Sequence, residues 1–316
     1  MSISFEELRE KALSLGWDDV GVTKAQIPED DIRAYQKWIA KGHQAQLEWM
    51  ENDLRCYPDR LLPGAKSAII FISYYKQEKL PFSADQGLVA SYARGRDYHN
   101  VHRNRLKKYI AWLEEKMGQR EIARGFSDSK PILEKALAVQ AGLGWFGKNT
   151  LLIHRRFGTF TLLSGLLTTV ELPGETIAPR LARCGSCTRC LDACPTQALV
   201  SPYELDANRC LSNLLIESKG AIPAEFQGKN PGYIFGCDIC QDACPHNVRT
   251  PLSLTEDFQP HKGLGPYLNQ SSLLNFQQNP DGLNGSPLKR RGIVGLQLTF
   301  DSLRDLRDER DNRDRT

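Results

Sequence analysis

The chain has 316 residues, 41% of them hydrophobic and 25% charged, with a formal net charge of +3. That is room for about two domains with real cores and is ordinary for a soluble globular protein, while so small a charge excludes a chain-wide field for nucleic acid and leaves only local basic patches. The start, MSISFEELREKALSLGW, mixes acidic and basic residues on an amphipathic pattern without the apolar stretch of a signal peptide. No run is long enough to cross a bilayer, so a cytoplasmic protein without membrane contact is expected.

In chain order, the pattern predicts a helix from Phe5 to Leu15 and a short strand at Val20–Val22. A second helix is expected over Ile32 to Met50, with Tyr35, Trp38, Ile39 and Leu47 on one face. The unbroken apolar run from Ser67 to Ile72 reads as a buried strand. His99 to Met117 reads as a long helix with a basic first half of His102, Arg103, Arg105, Lys107 and Lys108. Pro131 should start a helix that Gly142 and Gly144 stop. Leu151–His154 and Phe160–Val170 are expected as strands, neighbours across the turn at Arg156, Phe157 and Gly158. From Asp301 the chain is almost wholly Asp and Arg, which predicts a frayed helix or a disordered tail.

Eight of the nine cysteines lie in one stretch. Cys184, Cys187, Cys190 and Cys194 form C-x2-C-x2-C-x3-C before Pro195; Cys237, Cys240 and Cys244 form C-x2-C-x3-C before Pro245; Cys210 lies between. This is the spacing of a two-cluster ferredoxin, in which the fourth cysteine of each run ligates the other cluster. Cys184, Cys187, Cys190 and Cys244 are therefore expected to hold one 4Fe-4S cluster. Cys194, Cys210, Cys237 and Cys240 are expected to hold the second, Cys210 replacing the first cysteine that Ile234 displaces. Zinc favours separated C-x2-C pairs, and disulfide frameworks belong to small secreted domains. The remaining thiol, Cys56, reads as a buried apolar group.

Gly142-Leu143-Gly144-Trp145-Phe146-Gly147 matches the dinucleotide fingerprint in letters only, because a helix precedes it and a strand follows. A glycine-rich turn flanked by Lys148 and Asn149 still suits close approach of a large flat or phosphate-bearing ligand, although a helix C-cap is the plainer reading. Asp128, ahead of the Pro131 helix, suits an N-cap equally with a proton donor whose pKa responds to burial.

Several segments together resemble the epoxyqueuosine reductases. They are Asp128–Ala138, Ala141–Thr150, the full cysteine series, Arg55-x-x-Pro58, Leu62–Ser67, Tyr92–His99 and Gly285–Arg290. The resemblance covers nearly all of residues 5 to 296. It implies a mixed α+β / α/β fold: a cobalamin-binding catalytic domain over 1–175, a ferredoxin-like domain with two 4Fe-4S clusters over 176–250, and a helical C-terminal segment over 251–316. It implies Asp128 as general acid and cobalamin over the Gly142–Asn149 turn, with Arg55, Asp97, Tyr98, Asp128, Gly144, Lys148, Asn149, Leu152 and His154 as cofactor contacts. The implied substrate is a tRNA with a GUN anticodon carrying epoxyqueuosine, reduced by two electrons and two protons with release of water. An external low-potential donor such as flavodoxin or ferredoxin and a monomeric state are also implied. After Gln297 the chain departs from the apolar helices that family members carry. For tRNA, the basic half of the His99–Met117 helix and Lys289-Arg290-Arg291 are the expected surfaces. The competing readings are a reductive dehalogenase-like corrinoid enzyme, or a ferredoxin-type carrier without corrinoid.

Overall fold

The Ser67–Tyr74 strand is apolar on both faces because both are covered: all eight of its residues are buried. The computed structural model describes residues 3–79, 81–83, 85–174 and 183–314. Its main sheet runs in the order Asp19–Lys24, Ser67–Tyr74, Thr161–Thr168, Ala123–Phe126, with every pairing antiparallel. Alternation along the central strand divides the core. Ile69 and Phe71 pack with Trp17, Tyr109 and Leu113 on the side of the N-terminal Phe5–Ser14 helix and the Tyr98–Met117 helix. Ile70, Ile72 and Tyr74 pack with Leu137, Ala138 and Ala141 beneath the Glu134–Gln140 helix. Trp17 stacks on Phe71 with centroids 4.0 Å apart, and its indole nitrogen donates to Ser164 Oγ at 3.1 Å.

Several expectations need correction. The second helix spans only Glu29–Ala40, since Gly42 and Ala45 take positive φ (68° and 54°) and turn the chain away. The helix after Asp128 starts at Glu134 rather than at Pro131, with no side-chain cap on its first turn. Leu152–His154 does not pair with Thr161–Thr168; it folds back on Gly144–Phe146. Thr161–Thr168 lies between the central strand and Ala123–Phe126.

The expected junction at 175–176 lies outside the described residues. On its far side, the short helices Arg189–Asp192 and Ile239–Asp242 pack together, each carrying a cluster-type cysteine. A second sheet joins Gln86–Val89 to Tyr233–Phe235 and Tyr267–Asn269, so all three segments of the chain share it. Ile234 is fully buried in the edge strand Tyr233–Phe235, packed against Gly87 of the middle strand, so its side chain serves the core. Buried polar contacts fasten the cysteine region to the catalytic sheet. Tyr75 Oη and Thr159 Oγ1 both donate to Gln241 Oε1, and Asp238 accepts from the Ser91 amide and hydroxyl.

The C-terminal segment is helical from Gly292 to Asp314, with Leu296, Phe300 and Leu303 buried. Leu303, two residues past Asp301, thus packs into the core from within the Asp/Arg run. Deleting 306–316 is expected to leave the melting temperature unchanged, because that stretch has little to bury. Deleting from Asp301 should lower it, as Leu303 goes too. Thermal denaturation of both truncations checks this; equal melting temperatures would show that Leu303 contributes nothing. No helix among the described residues is long and apolar enough to cross a membrane.

Candidate active site and cluster-binding cysteines

Asp128 sits just past the end of the edge strand Ala123–Phe126, where the chain must turn sharply toward the Glu134 helix. It adopts φ +54°, a left-handed conformation that Asp tolerates better than most residues. The loop is bolted from below by His102, which is fully buried between Ser127 Oγ (2.9 Å) and Ser73 Oγ (3.0 Å). Burial pushes the His102 pKa down to about 3, so this imidazole is neutral and structural.

Three contacts hold Asp128. Tyr98 Oη donates to its carboxylate at 2.8 Å, the His99 Nε2 lies 3.7 Å away, and its own amide donates to Glu134 Oε1 at 2.7 Å. Its side chain is nonetheless 69% exposed, so the carboxylate is open to solvent. It is not an N-cap. Asp97 is the residue that caps here: its carboxylate accepts the His99 amide at 2.9 Å and the His99 Nδ1 at 2.8 Å.

These groups set one another's charge. His99 and Tyr98, against the cost of burial, hold the Asp128 carboxyl below the usual carboxylate range. Burial opposes the His99 charge, but Asp128 and Asp97 outweigh it and push the imidazole up to about 9. Burial, then the nearby Asp128 charge, push Glu134 up to about 8. At neutral pH Asp128 is therefore ionised beside two groups whose pKa values are raised, His99 and Glu134. Neither was singled out by motif reading, although the D-Y-H run and the i, i+6 spacing from Asp128 to Glu134 were visible.

The linkage has a definite sign. A His99 pKa raised from 6.5 to about 9 gives stability that is full below pH 6.5 and lost as pH rises toward 9. His99→Gln should flatten the fall in melting temperature across that window. An unchanged slope would show that His99 is not held charged by its two carboxylates.

Among the residues expected as cofactor contacts, Arg55, Asp97, Tyr98 and Asp128 come together. Arg55 lies within electrostatic reach of Asp128 and accepts the Leu133 amide on its carbonyl. The others do something different. Gly144 and Gly147 are required by the hairpin itself, since a Cβ on either would strike Ile153 or Asn149; the close approach is to protein. Gly142, at φ +75°, follows the C-cap Ala141 and ends the helix. Lys148 Nζ donates to Gly185 O (2.6 Å) and Cys187 O (3.0 Å), and buried Asn149 donates to Cys240 O at 3.5 Å. The turn thus touches both cysteine loops. Leu152 is core, and His154 is buried with Nε2 on Asp19 Oδ2 (3.0 Å) and Nδ1 accepting two amides.

The expected tRNA surfaces also divide. Arg103, Lys107 and Lys108 are exposed, but His102 is core and Arg105 pairs with Asp257. Arg291 is buried, while Arg290 is exposed and paired with Glu217.

All nine cysteines are free thiols. Cys184, Cys187, Cys190 and Cys244 line one cavity, with Lys148, Asn149 and His246 around it. Burial, helped by repulsion from Cys184, Cys190 and Cys187, raises the Cys244 pKa to about 11. Burial likewise raises Cys237 and Cys240, which are within electrostatic reach of Cys210 and Cys194. The first four thiols thus share one cavity, with Cys244 crossing from the second run, while Cys240 lies near Cys237, Cys210 and Cys194 and also near Cys190. Four thiolates around a shared volume are the donor set of a four-iron cubane, and the residues fit it.

With this geometry in place, comparison with known proteins is direct. The family model "Epoxyqueuosine reductase QueG, DUF1730" matches residues 55–129, and the model "4Fe-4S double cluster binding domain" matches residues 183–247. The epoxyqueuosine reductase of Leadbetterella byssophila is 39% identical over 262 residues, covering 82% of this chain and 85% of that protein. That of Escherichia coli is 40% identical, covering 82% of this chain and 69% of the relative. A crystal structure of epoxyqueuosine reductase with a tRNA-Tyr epoxyqueuosine-modified stem loop matches with a TM-score of 0.81 at 29% identity, over 94% of this chain and 80% of that one. The Bacillus subtilis enzyme, solved with its catalytic aspartate loop swung out of the active site, matches with a TM-score of 0.82 at 30% identity, over the same shares. The chain, with its 4Fe-4S double-cluster domain, belongs to the epoxyqueuosine reductase family of oxidoreductases.

Proposed function

We propose that this protein reduces epoxyqueuosine to queuosine at the wobble position of tRNAs with a GUN anticodon, using cobalamin, two 4Fe-4S clusters and Asp128 as proton donor. The observation that carries the reading is Asp128 itself: a residue in a left-handed loop, its carboxylate exposed and held by Tyr98 and His99, its amide on Glu134. Cobalamin, when bound, supplies reduced cobalt able to open an epoxide. Such a group would take the recess proposed in front of Asp128: Arg55, Tyr98 and Asp128 lie on one side of the fold, and Gln140 Oε1, on the same helix as Glu134, is buried without a partner among the described residues and would accept from a corrin amide.

The chain's own residues account for the protons. Epoxide oxygen leaves poorly unless protonated, and one positioned carboxylic acid is worth ~10²–10⁴ in rate. Asp128 is ionised in the open recess. Filling the recess displaces water and raises a carboxyl pKa, so Asp128 takes a proton from His99 and passes it to the opening oxygen. Glu134 holds the second. Two reserve protons match a reaction that consumes two. Lys148 and Asn149 couple the Gly142–Asn149 turn to the two cysteine loops, a short route from clusters to recess. The Bacillus subtilis enzyme is described with its catalytic aspartate loop swung out of the active site, and this reading takes the Asp128 loop as the equivalent.

In this reading the 1–175, 176–250 and 251–316 segments act as catalytic, electron-transfer and helical parts of a cytoplasmic monomer. An external low-potential donor such as flavodoxin or ferredoxin feeds the clusters. Anaerobic reconstitution with iron, sulfide and cobalamin, followed by incubation with epoxyqueuosine-containing tRNA and a strong reductant, should give queuosine on nucleoside analysis. Absence of a corrinoid absorption band, or of queuosine, would overturn the reading.

A further inference from the structure

One tryptophan stands out by its exposure. Trp17 and Trp145 are buried, but Trp49 is 45% exposed. It lies in the short 3-10 turn Glu48–Glu51, in the irregular segment that follows the shortened second helix. That turn is held: Tyr35 Oη donates to Met50 O, and Arg55 Nε and Nη2 both reach Trp49 O at 3.3 Å. An exposed indole on an anchored turn is a surface kept available.

Its neighbour comes from the far end of the chain. The Arg290 guanidinium lies over the Trp49 ring, 4.9 Å from the centroid. Glu217 fixes it there, accepting from Nε at 2.9 Å and Nη2 at 2.8 Å. The result is a flat cation–aromatic pair assembled from three segments. Arg55, which holds the turn through Trp49 O, also accepts the Leu133 amide just ahead of the Glu134 helix, and this ties the pair to the Asp128 loop and the recess proposed in front of it.

Resting on the proposed tRNA substrate, we infer that Trp49 and Arg290 form a stacking platform for a nucleobase adjacent to the modified nucleotide. Unpaired RNA bases are held by stacking on aromatic rings and arginine planes, and stacking tolerates any base because each has a π-face. A modified base drawn into the recess must part from its neighbours. An indole braced on one side by a guanidinium replaces the lost stack and fixes the strand there.

The test uses the reconstituted enzyme and a labelled anticodon stem-loop, with affinity read by fluorescence anisotropy at one fixed salt concentration. Trp49→Ala should weaken binding ~5- to 100-fold, the range that loss of one stacked base gives. Trp49→Phe should recover most of it. KM for the tRNA should rise while kcat stays near wild type, and iron and corrinoid content should not change. Stem-loop affinity equal to wild type in Trp49→Ala would overturn the platform. So would a loss of cobalamin affinity with stem-loop binding intact, since the ring would then serve the cofactor. Failure of the underlying reading looks different: wild type itself would make no queuosine, whatever stands at position 49.

Discussion

Asp128→Asn is expected to lower queuosine formation by two to four orders of magnitude, roughly the worth of a positioned general acid, while leaving the protein folded. The structure makes this a clean substitution. The side chain caps no helix, and the helix that follows begins at Glu134 without a side-chain cap. Asn tolerates φ +54° at least as well as Asp and can still accept from Tyr98 Oη. What Asn cannot do is carry a proton to the opening oxygen. Melting temperature, iron content and corrinoid content should therefore match wild type. The pairing with His99 would weaken, so the His99 pKa should fall toward its ordinary value, which titration by NMR would show. Near-normal turnover in nucleoside analysis would remove Asp128 from the chemistry, leaving the protonated Glu134 as the next carboxyl to test.

How far the site could be read from sequence depends on the kind of signal. The cysteines were legible because metal ligation needs a fixed residue type at fixed spacing. Even the odd position, Ile234, announced itself, and its cause is packing: the strand Tyr233–Phe235 fills that place. Asp128 was legible as a candidate and ambiguous as to role, since a loop-to-helix junction suits a cap as well as an acid. Only the backbone, with a positive φ and a helix starting six residues later, separates the two. The glycine-rich turn has a second reason that the sequence hid. Its glycines answer to Ile153 across a hairpin, a pairing that depends on a strand as short as Gly144–Phe146. Three-residue strands leave no periodicity to read. The mutual electrostatics of His99, Asp128 and Glu134 were hidden for another reason: they arise between a helix start, a loop and a second helix start, which only tertiary structure brings together.

The remaining test separates the two clusters. Wild-type protein reconstituted with iron and sulfide should hold about eight irons, as two four-iron clusters require. Cys210→Ala should reduce this to about four, because Cys210 completes the set of Cys194, Cys237 and Cys240 that lie within mutual electrostatic reach. Cys244→Ala should remove the other set, whose cavity it lines with Cys184, Cys187 and Cys190. The two variants should therefore leave different clusters, distinguishable by electron paramagnetic resonance after reduction. Cys210 makes no side-chain cap bond to the Leu211–Ile216 helix it precedes, so the helix itself gives no reason for iron loss. Cys56, buried at 4% exposure far from either run in sequence, is the control: Cys56→Ala should keep all its iron. If Cys244→Ala instead gave the same residual spectrum as Cys210→Ala, the crossing of the fourth cysteines would be wrong. Each run would then serve its own cluster, and Cys244 would have to share one with Cys237 and Cys240. Against that stands the cavity, where Cys244 already faces the three cysteines of the first run.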